Sequence, residues 1–329
     1  MSAKAAIYTH ADCLLHSPGE GHPESPTRLK EVLSGIESVF PRNSSALVWK
    51  DAVMGTDTQV LYCHDKGYLE KIKNTVANLS STDEPVKTDV DTRVSKGSLT
   101  AAMRGIGAVC QAVDDVCDGN VKRAFCAVRP PGHHALKDTS MGFCLFGNVA
   151  VAAFHALTKP SIKRVAIVDF DVHHGNGTQA LVEHNPNILF FSTQQTPLWP
   201  YQDDAKPEVR GAAGNIRNFQ VPPKADPQIY YDIFTQKIVP ELLEFKPNLI
   251  ILSAGFDAHR DDPPKEEALF NDPPGRQMLT EKDFDWMTRQ LMDVAEKCCQ
   301  GRFVSVMEGG YNTDVLKNCC VAHVKVLTA

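Results

Sequence analysis

The run Val165-Ala166-Ile167-Val168-Asp169-Phe170-Asp171-Val172-His173-His174-Gly175-Asn176-Gly177 changes character halfway along. Its first half, within residues 164–169, is apolar and β-branched, the composition of a strand covered on both faces. Its second half crowds carboxylates, imidazoles and glycines together. The same change recurs elsewhere. Apolar runs predict further strands at 5–8, 124–128, 188–192, 249–253 and 303–307, and amphipathic stretches predict helices at 26–39, 98–117, 149–158, 228–245 and 281–299. Pro26 suits a first helical turn, and Thr280 followed by Glu281 and Asp283 is a helix-start signal. Such alternation predicts an α/β protein with a mainly parallel central sheet flanked by helices. No linker, repeat or low-complexity run divides the chain, so residues 1–329 are expected to form a single domain. Stretches rich in Pro, Gly and His follow strands at 129–142, 169–177, 254–275 and 308–312. In open α/β sheets, ligands bind outside the carboxyl ends of the strands.

The 329 residues carry 34 Lys+Arg against 40 Asp+Glu, a net charge of −6, with 43% hydrophobic residues. That balance excludes a disordered chain. No uncharged apolar run approaches the ~18 residues of a membrane-spanning helix, so no membrane association is expected. The acidic balance, without a Lys/Arg-rich run, argues against direct nucleic-acid binding. The N-terminus lacks an apolar signal region, which points to the cytoplasm. The 10 cysteines include the adjacent pairs Cys298/Cys299 and Cys319/Cys320 but no C-x-x-C, and are expected as free thiols.

Alternate residues of an extended chain share a face, so Asp169, Asp171 and His173 are expected to point one way. Two aspartates on an apolar strand are costly to bury without a cation, although a loop cap or a loop-holding His–Asp pair is the plainer reading. Asp257, after Gly255 at the end of the strand at 249–253, is the natural third ligand or else a helix N-cap. Three protein ligands leave a position for water, as in catalytic zinc sites. One histidine with two carboxylates is a harder set than that of structural zinc, which leaves the metal's identity open. His133 and His134 lie on a Pro/Gly-fixed loop and supply bases of ordinary pKa near ~6.5. Asp169 and Asn176 are at hand to orient their second nitrogens. Gly309-Gly310 lets backbone approach a site closely, and Tyr311 could bring its hydroxyl to the oxyanion of a tetrahedral intermediate, or simply pack. There is no Gly-x-Ser-x-Gly, His-Glu-x-x-His or P-loop, and Gly105-Ile106-Gly107 lies in a helical pattern without a third glycine.

Together these segments resemble the histone deacetylase and acetylpolyamine amidohydrolase family. The likeness runs from residues 16–29 through 129–134, 142–144 and 169–177 to 253–259 and 308–312. Asn176 and Trp199-Pro200 are most similar to class II deacetylases and their bacterial relatives. The resemblance implies an arginase–deacetylase fold and one catalytic zinc on Asp171, His173 and Asp257. It also implies a structural potassium near Asp169, Asp171, His173, Ser192 and Thr193. His134 would be general base and then acid for the metal-activated water, with His133 paired to Asp169 as electrostatic partner and Asn176 orienting His134. Tyr311 and zinc would polarise the acetyl carbonyl. Gly142 and Phe143 would line the channel for the alkyl chain opposite Trp199, with Gly309 beside the substrate. Asp89 or Asp91 would accept the substrate amide N–H. The implied reaction removes acetyl from an acetylated lysine or an acetylpolyamine. A non-catalytic acyl-ligand module and an arginase-like dimanganese ureohydrolase are the rivals. Intact zinc, base and tyrosine positions argue against the first, and the residues after His173 offer no carboxylate for the second. Residues 261–270 form an acidic insertion, either a solvated rim or one in which Glu266 or Glu267 attracts the cationic end of a polyamine.

Overall fold

Apolar runs that a one-faced strand could not tolerate form the middle of one sheet. The structure is a computed structural model that describes residues 3–262 and 275–329. Its strands are β1 (Ala3–Thr9), β2 (Leu47–Asp51), β3 (Val86–Lys87), β4 (Arg93–Val94), β5 (Val121–Cys126), β6 (Val165–Asp169), β7 (Ile188–Gln195), β8 (Ile216–Val221), β9 (Leu249–Ala254) and β10 (Phe303–Met307). Eight of them form one sheet in the order β2-β1-β5-β10-β9-β6-β7-β8, while β3 and β4 form a separate antiparallel pair. Every pairing in the large sheet is parallel. β6 and β9 are buried along their whole length, as their apolar runs up to Asp169 and Ser253 require.

The helices are α1 (Pro26–Val39), α2 (Asp57–Val60), α3 (Lys66–Ala77), α4 (Ser98–Cys117), α5 (Asn148–Leu157), α6 (Asn176–Val182), α7 (Gln228–Ile233), α8 (Val239–Phe245), α9 (Glu281–Cys299) and α10 (Thr313–Thr328). Pro26 opens α1, and the amide of Thr280 donates to Asp283 Oδ2 at 2.7 Å to open α9. The single helix expected over 228–245 is instead α7 and α8 joined through a π turn at Phe234–Ile238. Val239 N–H reaches back to Phe234 O just before Pro240, which has no N–H to continue the α pattern.

The two unforeseen strands of the large sheet share a cause. β2 and β8 are the two edges of the sheet and are only partly buried, so neither shows a continuous apolar run. All ten cysteines are free thiols, buried or half-buried. No described helix is long and apolar enough to cross a membrane. Of the acidic insertion, only Asp261 and Asp262 fall within the described residues; Glu266 and Glu267 lie outside them.

The strand order decides where chemistry can happen. β5, β10, β9 and β6 are consecutive neighbours, and their registers align Asp169 with Ser253 and Met307 with Ala254. The four loops richest in His, Gly and carboxylate therefore leave one end of the sheet side by side.

Candidate metal centre and active site

Each loop delivers its side chains from a buried footing. Phe170 and Phe256, next in sequence to Asp171 and Asp257, meet Phe284 of α9 with ring centroids 5.1–5.6 Å apart. Above them, one ligand atom from each of Asp171, His173 and Asp257 lies within 4.8 Å of the others. His173 Nδ1 is 3.0 Å from Asp171 Oδ1 and 3.1 Å from Asp257 Oδ2. Backbone amides hold the carboxylates: Val172 N–H donates to Asp257 Oδ1 at 2.9 Å, and Gly309 N–H to Asp171 Oδ2 at 3.0 Å.

The set fits a divalent cation on two counts. Asp169 and Asp171 are fully buried and Asp257 is 2% exposed, a density of carboxylate that a dry interior tolerates only with a compensating cation. The backbone also makes room for these side chains at close quarters. A Cβ on Gly255 would lie 1.8 Å from Asp171 Oδ2, and one on Gly309 would lie 2.2 Å from Asp257 Oδ2. Any side chain at either position would displace a ligand.

Asp169 and Asp171 both face His133, but Asp169 lies outside the three-residue cluster. β6 ends at Asp169 and the chain turns, with Asp171 N–H donating back to Asp169 Oδ1 at 3.0 Å. Its other oxygen accepts from His133 Nδ1 at 3.0 Å, so Asp169 serves the tandem histidines and stands outside the three-residue cluster.

The two histidines, 3.8 Å apart between ring centroids, are pushed in opposite directions. Burial disfavours the His133 cation, but the Asp171 and Asp169 carboxylates outweigh it and raise the ring to about 10. Burial lowers His134 well below its ordinary range, and the neighbouring His133 and His173 add to that. His134 Nδ1–H donates to Asn176 Oδ1 at 2.7 Å, which leaves Nε2 with its lone pair free. A neutral base beside a cationic partner is the arrangement proton transfer needs.

The walls follow. Trp199 meets His134 edge-on at 4.6 Å, with His173 at 6.1 Å. Gly142 has φ +56° and approaches so closely that a Cβ would lie 2.3 Å from His134 Cδ2 and 2.6 Å from Trp199 Cη2. Phe143, at φ 68°, is held in this left-handed conformation as Thr92 Oγ1 accepts its N–H at 3.0 Å. Its ring stands 5.9 Å from that of Tyr311. Asp91 Oδ1 accepts from Gly142 N–H at 3.0 Å and from Thr92 Oγ1 at 2.9 Å, so this oxygen braces the wall. On β7, Ser192 sits beside Asp169 with its Oγ buried and without a hydrogen-bond partner among the described residues, while Thr193 Oγ1 donates to Asp169 O at 3.2 Å.

Residues to which the sequence assigned no role sit directly beneath. Glu24, Arg28 and Arg129 are all fully buried and joined by ion pairs. Arg28 donates to Gly310 O at 2.6 Å and to Glu308 O at 2.5 Å. Glu308 in turn accepts from the amides of Gly132 and His133 at 2.6 and 3.2 Å. Their signal was a density of ionisable residues inside Pro/Gly-rich segments, where solvated charge would be the ordinary reading.

Comparison with known proteins agrees in extent. Residues 22–327 match the histone deacetylase domain family. An uncharacterized protein of Synechocystis is 37% identical over 98% of this chain and 99% of its own length. The type-2 histone deacetylase 2 of Dictyostelium discoideum is 35% identical over 98% of this chain, which spans 20% of that longer protein. A histone deacetylase-like amidohydrolase of Pseudomonas aeruginosa is 31% identical over 100% of this chain and 87% of its own length. Among solved structures, the crystal structure of an HDA15 HD domain superposes with a TM-score of 0.89 at 30% identity, covering 100% of this chain and 89% of that one.

Proposed function

The chain belongs to the histone deacetylase family and is a metal-dependent deacetylase, and from that premise we propose that it hydrolyses N-acetylated alkylamines at the end of the sheet where Asp171, His173 and Asp257 converge. The observation that carries this reading is that convergence, with a neutral, Asn176-tied His134 beside it. Those three residues would hold one zinc, which when bound supplies a Lewis acid for water and for the acetyl carbonyl.

The remaining work falls to the chain. His134 Nε2 takes the proton of the attacking water and returns it to the departing amine nitrogen as the C–N bond breaks, giving acetate and a free amine. Cationic His133, anchored on Asp169, stabilises the negative charge that develops. Tyr311 donates its hydroxyl to the carbonyl oxygen as that oxygen gains charge. Phe143, Gly142 and Trp199 enclose the alkyl chain, with Gly309 at the floor. A structural potassium near Asp169, Asp171, His173, Ser192 and Thr193 would occupy the surroundings of the orphaned Ser192 hydroxyl. Residues 1–329 act as one zinc-dependent deacetylase domain, since loops from all along the chain build one site. Ten unpaired thiols suit a reducing compartment such as the cytoplasm.

An acetyl-lysine peptide and acetylputrescine, assayed side by side with metal content measured, test the reading. Turnover of at least one is expected, with kcat falling ~10²–10³-fold in Tyr311→Phe as for loss of an oxyanion donor. Zinc-loaded protein inactive on both would refute it.

A further inference from the structure

The loop that carries Tyr311 is tied as far as Gly309, whose N–H donates to Asp171 Oδ2 and whose carbonyl accepts from Phe256 N–H, each at 3.0 Å. Residues 308–312 lie between the end of β10 and the start of α10, and Gly309 and Gly310 have no side chains to pack. Gly310 has φ +119°, a conformation that a glycine adopts freely but does not enforce. Yet a hydroxyl that must meet an oxyanion has to be held to within roughly 0.5 Å.

We propose that Asp262 is a positioning residue for Tyr311, gripping the N–H side of its peptide while Arg28 grips the carbonyl side. Asp262 is 3% exposed, five residues beyond Asp257, with its amide on His259 O at 3.0 Å. Its Oδ2 accepts from Tyr311 N–H at 2.7 Å and from Asn312 N–H at 2.8 Å. Asn312 Nδ2 donates back to Asp261 O at 2.9 Å, docking the same two segments a second time. From the opposite side, Arg28 Nε donates to Gly310 O at 2.6 Å, and its guanidinium lies 4.9 Å from the centre of the Tyr311 ring. The C=O and the N–H of a single peptide unit are thus held from two sides by a buried guanidinium and a buried carboxyl group.

Two points favour a functional hold over a structural one. Asp262 Oδ1 is buried without a hydrogen-bond partner among the described residues, so the carboxylate is placed at a cost that packing alone does not reward. One of the two bonds goes to the tyrosine's own amide, whose nitrogen is among the four atoms that define χ1 and so the aim of the hydroxyl.

The inference rests on the proposed role of Tyr311, and the experiment separates the two. Steady-state kinetics on the better substrate are measured for Tyr311→Phe, Asp262→Ala, Asp262→Asn and the double variant Asp262→Ala/Tyr311→Phe, with zinc content and Tm alongside. Asp262→Ala should lower kcat at least ~10-fold, with KM within about threefold, because an aimed donor is lost rather than a binding contact. Asp262→Asn, whose amide oxygen can accept both N–H groups, should stay within about threefold of the wild type. The double variant should be no slower than Tyr311→Phe alone by more than about threefold, since a residue acting through Tyr311 has nothing left to act on. Hydrogen exchange of the wild-type protein should show the Tyr311 and Asn312 amides protected, a readout that holds even if Asp262→Ala does not fold. Wild-type kcat in Asp262→Ala, multiplicative losses in the double variant, or rapidly exchanging amides would overturn the proposal. Unchanged kcat in Tyr311→Phe would instead remove the role assigned to the tyrosine.

Discussion

Replacing Glu24 by Gln removes the carboxylate that is ion-paired to two fully buried guanidinium groups. Glu24 Oε1 and Oε2 accept from Arg129 Nε and Nη2 at 2.5 and 2.7 Å, and Oε1 also accepts from Arg28 Nη1 at 3.0 Å. His16 Nε2 lies 3.3 Å from Oε2, but burial lowers that ring's pKa and keeps it neutral. The three side chains therefore carry one negative and two positive charges, and the substitution breaks both ion pairs at once. Breaking a buried pair by removing one partner costs about 3–5 kcal/mol. An unfolding entropy of ~2.1 cal/mol/K per residue over this chain gives ~0.7 kcal/mol per kelvin, so Tm should fall by roughly 4–7 °C. The pH dependence follows from the sign of the shift. Burial opposes the Glu24 carboxylate, yet Arg129 beside it wins and holds its pKa well below the ordinary range. A carboxyl depressed in the folded state contributes its full stability above its unfolded pKa of ~4.3 and loses it as pH falls through the folded value. Thermal and urea unfolding of wild type and Glu24→Gln should thus differ by a constant amount from pH 8 to pH 5, and the gap should narrow only below about pH 4. A Tm within ~1 °C of wild type at pH 7 would refute the reasoning, as would a gap that has vanished by pH 6.

Three further outcomes can be measured independently. Gly309→Ala would put a Cβ 2.2 Å from Asp257 Oδ2, so zinc content should fall well below stoichiometric and kcat/KM by ~100-fold or more at unchanged circular dichroism; full zinc occupancy would contradict the crowding. His323 is fully buried between Ser305 and Thr288, and burial lowers its pKa to about 3. Because a folded-state histidine so lowered loses stability as pH drops below ~6.5, His323→Gln should remove about 2 kcal/mol of the wild-type loss between pH 7 and 5; equal urea-midpoint changes in both proteins would exclude this. Removing metal with a chelator should abolish turnover and restoring zinc should recover it, whereas activity that survives verified metal depletion would count against the Asp171–His173–Asp257 centre.

What could be read in advance and what could not divide along a physical line. Strands β6, β9 and β10 are buried on both faces, so their apolar runs announce them; β2 and β8 are sheet edges and carry mixed sequences such as Leu-Val-Trp-Lys-Asp that announce nothing. The cluster of Asp171, His173 and Asp257 was legible because costly residue types stand next to glycines at strand ends. Asp169 stands outside that cluster, with its carboxylate on His133, the partner the resemblance implied for it. Arg28, Glu308 and Asp262 mark a deeper limit. Each acts on main-chain atoms: Arg28 on the carbonyls of Glu308 and Gly310, Glu308 on the amides of Gly132 and His133, Asp262 on the amides of Tyr311 and Asn312. Every residue but proline offers the same N–H and C=O, so no residue type records which amide a distant carboxylate will meet. A chain therefore displays the side chains that touch a metal or a substrate far more openly than those that hold the backbone beneath them, and in this site the second group decides where Tyr311 and the tandem histidines point.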